Sequence, residues 1–262
     1  MNRSRDKKAI LMVSFGTSHL DTLEKNIAVI ERQAAETFPD YTVYRAFTSG
    51  MILRKLQRTQ NLHICTVREA MEQMRTEQVT EVLVQPTHII PGLEYEKMLA
   101  DVKAYGEDFR RITVGEPLLM SGEDYKRCVR AVMEEITLSE GEALVLMGHG
   151  TEHPANAAYP VLEYMFHYLG YAQVLVGTVE GSPDLAEVMK KLQTAGVRKV
   201  TLLPFMVVAG DHAKNDMAGE EDSWKAILLE AGYEVKTIVK GLGELAGIRA
   251  LYMEHMQAAK ER

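Results

Sequence analysis

The stretch 197-VRKVTLLPFMVVAG-210 lines up with 79-VTEVLVQPTHIIPG-92, with Val79/Val197, Val82/Val200, Pro86/Pro204 and Gly92/Gly210 identical. Each copy is a short, β-branched-rich apolar run that stops at a proline and passes through a loop to glycine, the pattern of a buried strand followed by a turn. A second pair occurs in the same order: Ser14-Phe15-Gly16-Thr17-Ser18-His19 matches Gly148-His149-Gly150-Thr151-Glu152-His153. The repeat is a half-chain long, well beyond the period of a solenoid unit, so it predicts two similar domains.

Outward from these runs, strands and helices alternate. Strands are expected at Ala9–Val13, Tyr41–Phe47, Glu81–Gln85, Arg111–Val114, Ala143–Met147, Gln173–Gly177, Lys199–Pro204 and Tyr233–Val239. Helical periodicity covers Leu20–Thr37 (capped by Asp21 or Ser18), Met51–Gln57, Val67–Met74, Glu94–Tyr105, Tyr125–Ile136, Tyr159–Leu169, Pro183–Ala195, Trp224–Ala231 and Leu245–Ala259, with Pro183 near a first turn. The fold class is therefore α/β, two similar domains, each a parallel sheet flanked by helices. The expected division is 1–124 and 125–262, with the final helix free to pack back on the first domain.

The chain has 262 residues, 46% of them hydrophobic, and a formal charge of −7. Such a balance argues against a nucleic-acid partner, which usually meets a basic excess. Cys65 and Cys128 form no CxxC pair and read as reduced thiols. The basic start, Met1–Lys8, is followed by an apolar run too short for a signal peptide, and no run approaches a membrane span. A cytoplasmic protein without a membrane partner is expected, and a homo-oligomer is compatible with the sequence.

In open parallel sheets ligands bind beyond the carboxyl ends of the strands. His149, Glu180 and His212 each follow a different strand of the second half. Two imidazoles and a carboxylate suit a divalent transition metal, and three protein ligands leave positions open for exchange. Any one of these residues alone reads as an ordinary polar loop residue; their placement at three strand ends carries the argument. In the first half Phe15 stands where His149 does, and Glu94 where His212 does. Glu94 is thus either a proton-accepting carboxylate or a charge favoured at a helix start.

Val13-Ser14-Phe15-Gly16-Thr17-Ser18, Arg45-Ala46-Phe47-Thr48-Ser49, Gln85-Pro86-Thr87-His88, Met147-Gly148-His149-Gly150-Thr151 and Pro204–Met217, which includes Ala209-Gly210-Asp211-His212-Ala213-Lys214-Asn215-Asp216-Met217, are the motifs that count. Together they resemble the anaerobic sirohydrochlorin cobaltochelatases, class II chelatases related to ferrochelatase, over about Lys8–Met256. The resemblance implies two α/β domains with a tetrapyrrole cleft between them and insertion of Co²⁺ into sirohydrochlorin, or its precorrin-2 precursor, without ATP, in anaerobic cobalamin biosynthesis. It implies His149, His212 and Glu180 as metal ligands and His149, His212 and Glu94 as the catalytic set. No cofactor is expected beyond Co²⁺ itself, which is a substrate beside the tetrapyrrole. A polyanionic ring on an acidic protein calls for local cations; Arg45, Arg54, Lys55 and Arg58 are the candidates, although a solvated helix face explains the last three as well. A chelatase for Fe²⁺ or Ni²⁺ and a non-catalytic metal or tetrapyrrole carrier are the alternatives. A phosphoryl-transfer enzyme built on His149 lacks a P-loop. The 15 methionines read as core, as at Met71 and Met74.

Overall fold

The computed structural model describes residues 6–262, so Met1–Arg5, the start of the basic segment, lie outside the described residues. Two compact units divide the chain: Met1–Met120 with Arg249–Arg262, and Ser121–Ile248.

In unit 1, β1 (Lys8–Ser14), β2 (Tyr41–Phe47), β3 (Glu81–Pro86) and β4 (Arg111–Val114) form one parallel sheet in the order β2-β1-β3-β4. In unit 2, β5 (Glu142–Gly148), β6 (Val174–Thr178), β7 (Lys199–Pro204) and β8 (Glu234–Thr237) form a second, in the order β6-β5-β7-β8. The two orders are the same topology written twice, as the internal repeat predicts. β1 and β5 read as continuous apolar runs because helices cover both faces of a parallel sheet. Unit 1 buries Leu11, Val13, Val82 and Val84 with Met71 and Met74 of the helix Val67–Thr76; unit 2 buries Val145, Met147, Leu202 and Trp224 together. Both methionines are core, as expected.

The helices are α1 (Leu20–Thr22), α2 (Val29–Thr37), α3 (Gly50–Gln60), α4 (Val67–Thr76), α5 (Leu93–Lys103), α6 (Gly122–Met133), α7 (Ala158–Tyr168), α8 (Leu185–Thr194), α9 (Trp224–Glu230) and α10 (Ala246–Glu261). Three begin on capping boxes, Thr66/Glu69, Ser121/Asp124 and Asp184/Glu187, in which side chain and backbone satisfy each other's orphan donors. These boxes correct two expectations. The helix expected from Tyr125 starts three residues earlier because Ser121 caps it, and Pro183 lies outside α8 because Asp184 is the cap.

The continuous helix expected over Leu20–Thr37 is also corrected, because Leu23–Ala28 is π-helical. Asn26 is buried and its amide donates to the Thr22 carbonyl at 3.0 Å. That side chain competes for an acceptor the α-helical ladder would use, which favours a widened turn. Neither Asp21 nor Ser18 is the cap: His19 holds that position without a side-chain cap bond, and its backbone is tied instead by the Thr17 and Thr22 hydroxyls. Cys65 and Cys128 are both free. No helix among the described residues is long and apolar enough to cross a membrane.

Candidate metal centre

The strand order fixes where a ligand binds. The chain leaves β5 toward β6 on one side and returns to β7 on the other, so the crevice beyond β5 and β7 is the topological switch point of unit 2. His149 follows β5 directly, and His212 stands at the end of the loop after β7, where the next helical turn begins. Their rings meet edge to face with centroids 4.7 Å apart. Glu180 follows β6, and its Oε2 lies 3.7 Å from Nδ1 of His149. One ligand atom from each of the three falls within 4.8 Å of the others. A metal ion sits about 2.0–2.2 Å from nitrogen or oxygen donors, so its donors cannot be more than about 4 Å apart.

The loops that carry these residues are built for close approach. A Cβ at Gly148 would stand 2.3 Å from the Tyr159 ring, and one at Gly150, whose φ is +82°, would stand 2.6 Å from the Gly181 backbone nitrogen. Glycine at 150 lets the His149 loop lie directly on the Glu180 loop, and glycine at 148 lets the strand end lie on the Tyr159 ring. The backbone N–H of Glu180 then donates to the His149 carbonyl at 2.7 Å. Asn156 clamps the same two loops: its Oδ1 accepts from Thr151 N–H at 3.0 Å and its Nδ2 donates to the Ser182 carbonyl at 2.6 Å. Burial pushes the Tyr159 hydroxyl pKa up, and the backbone N–H groups of Gly150 and His149 pull it partly back.

The tautomers follow from the hydrogen bonds. Nδ1 of His149 is 2.9 Å from the Gly150 carbonyl, which can only accept, so Nδ1 carries the proton and Nε2 keeps its lone pair. Nδ1 of His212 is 2.7 Å from Oδ2 of Asp216 and donates to that carboxylate. A carboxylate behind a ligating imidazole fixes the ring and raises the basicity of its free nitrogen. His212 opens a second π-helical turn, His212–Met217, and Asp216 sits on it four residues on.

Unit 1 presents a different rim. Glu94 is in the first turn of α5; its Oε1 pairs with Lys97 Nζ at 2.8 Å, while its Oε2 is buried without a hydrogen-bond partner. His88, in the loop after β3, has a buried Nδ1 that is also unpartnered. Burial drives the His88 imidazole down to about 4, against the opposing pull of the Glu94 charge. The sign of its linkage to stability follows: the unfolded chain binds this proton below about pH 6.5 while the folded one does not until about pH 4, so stability falls across that window. Urea titrations should show wild type losing more stability than His88→Asn between pH 7 and 4.5, by at most about 3 kcal/mol. Equal losses would contradict the assignment.

The four basic candidates are all in unit 1 and are not equivalent. Arg45 on β2 is already engaged: its Nε donates to Glu31 Oε1 at 2.7 Å and its Nη2 pairs with the other Glu31 oxygen. Glu31 raises the Arg45 pKa further, so the guanidinium is a fixed ion pair rather than a free hand for a ligand. Arg54, Lys55 and Arg58 lie on α3, with Arg54 and Arg58 exposed and Lys55 half-buried. Asp216, Asn156 and the unpartnered state of His88 were not read from sequence. Asp216 alone left a signal, its four-residue spacing from His212.

A family model described as cobalt chelatase (CbiK) matches residues 8–261. The chain belongs to that family. This chelatase is 42% identical over 255 residues to the sirohydrochlorin cobaltochelatase of Salmonella typhimurium, covering 97% of this chain and 96% of the relative. It is 36% identical over 258 residues to the sirohydrochlorin cobaltochelatase CbiKC of Nitratidesulfovibrio vulgaris, covering 97% and 90%. In fold it is similar to SirB from Bacillus subtilis with Fe³⁺, at a TM-score of 0.68 and 16% identity over 97% of this chain and 95% of that one. The chelatase fold expected from the resemblance is thereby met.

Proposed function

We propose that this chelatase inserts Co²⁺ into sirohydrochlorin, in cobalamin biosynthesis, and that His149, Glu180 and His212 hold the ion during transfer. The observation that carries this reading is the triad at the unit 2 switch point, with both imidazoles locked as Nδ1–H donors to Gly150 and Asp216. The full-length relatives named as sirohydrochlorin cobaltochelatases support the substrate pair.

The chemistry asks for two things. A hydrated Co²⁺ must exchange its waters for ring nitrogens, and the macrocycle must release two pyrrole N–H protons, one for each positive charge of the ion. Neutral imidazoles replace waters stepwise, and a three-residue set leaves coordination positions for the incoming ring. An imidazole that is bonded to the metal through Nε2 and donates through Nδ1 has no lone pair left for a proton. The pyrrole protons therefore go to another group, and we assign Glu94, whose Oε2 is sheltered and unpartnered, as an acceptor.

The ring needs an apolar face. Exposed large apolar side chains stand at the carboxyl ends of three adjacent strands of unit 1: Phe15 after β1, Met51 after β2 and Leu93 after β3. We assign them to the face of the macrocycle, and Arg54, Lys55 and Arg58 to its carboxylates. Arg45 is left out of that set because Glu31 holds it.

Turnover separates an enzyme from a carrier. Anaerobic mixing of catalytic protein with an excess of sirohydrochlorin and Co²⁺, followed by ring absorbance, should give many metallated rings per chain at a rate above the protein-free reaction. A burst that stops at one ring per chain would leave the carrier reading instead. Parallel runs with Fe²⁺ and Ni²⁺ rank the metals, since this ligand set does not select strongly among them.

A further inference from the structure

His88 Nδ1 and Glu94 Oε2, six residues apart in unit 1, are buried without hydrogen-bond partners, as is Oε1 of Gln85, whose amide nitrogen donates to the Pro86 and Glu116 carbonyls. Leaving either one unsatisfied costs about 1–3 kcal/mol, and more for a charged group, so their coexistence calls for an account. Elsewhere the loop that holds His88 is tied to neighbouring segments. Thr87 N–H donates to the Val13 carbonyl at 2.8 Å, Thr87 Oγ1 to Ser14 Oγ at 2.8 Å, and Tyr252 Oη to the Thr87 carbonyl at 2.7 Å. The backbone N–H groups of Leu118 and Leu119 donate to the carbonyls of His88 and Ile89 at 2.9 and 2.8 Å. His88 is thus presented on a rigid rim while its Nδ1 is left over.

The other ring nitrogen has a partner that permits the Nδ1–H tautomer. Nε2 of His88 faces the Thr48 hydroxyl at 3.4 Å. A hydroxyl can donate to Nε2, which then holds the lone pair and puts the proton on Nδ1. Burial keeps the imidazole neutral near pH 7, so it is a hydrogen-bond donor there rather than a second base. Glu94 has the complementary need. Lys97 occupies Oε1, and Oε2 is an acceptor with no donor.

We propose that His88 is a positioning residue for Glu94, donating Nδ1–H toward Oε2 across one water and so holding the carboxylate in one rotamer for the pyrrole proton. The proposal rests on the reading of Glu94 as proton acceptor and adds the residue that orients it. In the internal repeat the position of His88 is taken by Met206, which has no such donor. Orientation is therefore a property of the half that carries Glu94, and the half that carries the metal ligands orients His212 through Asp216 instead.

Steady-state insertion kinetics and imidazole ¹⁵N spectra of the full chain test this together. His88→Ala should lower kcat about tenfold with KM for the ring and Co²⁺ affinity unchanged, because the loss is in proton transfer alone. His88→Asn, whose amide nitrogen reproduces the reach of Nδ1, should restore most of the rate, and His88→Gln should not. In wild type the His88 ring should carry its proton on Nδ1, and that resonance should shift in Glu94→Ala. An Nε2–H tautomer in wild type, an unchanged kcat in His88→Ala, or equal rescue by Gln and Asn would overturn the proposal. Glu94→Gln distinguishes the two levels: if it loses rate and His88→Ala does not, only the positioning role fails; if it keeps full rate, the assignment of Glu94 itself fails.

Discussion

His149→Ala and His212→Ala are each expected to lower the insertion rate by more than about 10²-fold at a Co²⁺ concentration that saturates wild type. Loss of an outer partner of a metal ligand typically costs about 10–100-fold, and loss of the ligand itself removes more. Each variant leaves two of the three donors. The folds should survive, since neither histidine is in a core cluster and both lie past the strand ends, His149 in a loop and His212 at the start of a short π-helical turn. Circular dichroism and thermal melts superimposable on wild type, with rate lost, are the expected pair of results. Retention of near-wild-type rate in either variant would show that the ion is held elsewhere.

The second large effect is at Asp216. Its Oδ2 accepts Nδ1–H of His212 at 2.7 Å, so it fixes both the ring rotation and the nitrogen that faces the ion. Asp216→Ala should weaken Co²⁺ binding by about 10–100-fold, with a parallel loss of rate at low metal. Asp216→Asn keeps an acceptor oxygen but not the charge, and it should fall between the two. Raising Co²⁺ should recover most of the Asp216→Ala rate and little of the His212→Ala rate. Equal failure of both at high metal would mean that Asp216 acts on something other than ligand orientation. Asp216 is half-exposed at 47% of its side chain, so the effect belongs to geometry more than to buried charge.

The sequence made some of this legible for identifiable reasons. His149 and His212 stand out because each occupies a strand-end loop that is repeated in the other half, where Phe15 and Glu94 take the same places. Glu180 follows from position alone, one strand over. The parallel sheets were legible because β1 and β5 carry unbroken apolar runs, Ala9–Val13 and Ala143–Met147, a pattern that half-exposed strands do not show. What escaped was set by contacts rather than by pattern. Arg45 read as a ligand for carboxylates, but a carboxylate 14 residues earlier, Glu31, already fills its guanidinium. The π-helical turns at Leu23–Ala28 and His212–Met217 depend on where single side chains find partners, which a 3.6-residue period cannot register. The unpartnered nitrogen of His88 is a property of packing.

The two units divide the chemistry in a way their shared topology makes easy to see. The same switch point carries two imidazoles with a carboxylate behind one of them in unit 2, and the loop and helix start after the matching strand of unit 1 carry His88 and Glu94. One arrangement suits a cation, the other a proton.

X-ray absorption of the Co²⁺-loaded protein tests the central claim most directly. The account expects two imidazole nitrogens and oxygen donors in the cobalt shell of wild type, and one imidazole in each of His149→Ala and His212→Ala. A cobalt shell without imidazole, or one that the two substitutions leave unchanged, would contradict it.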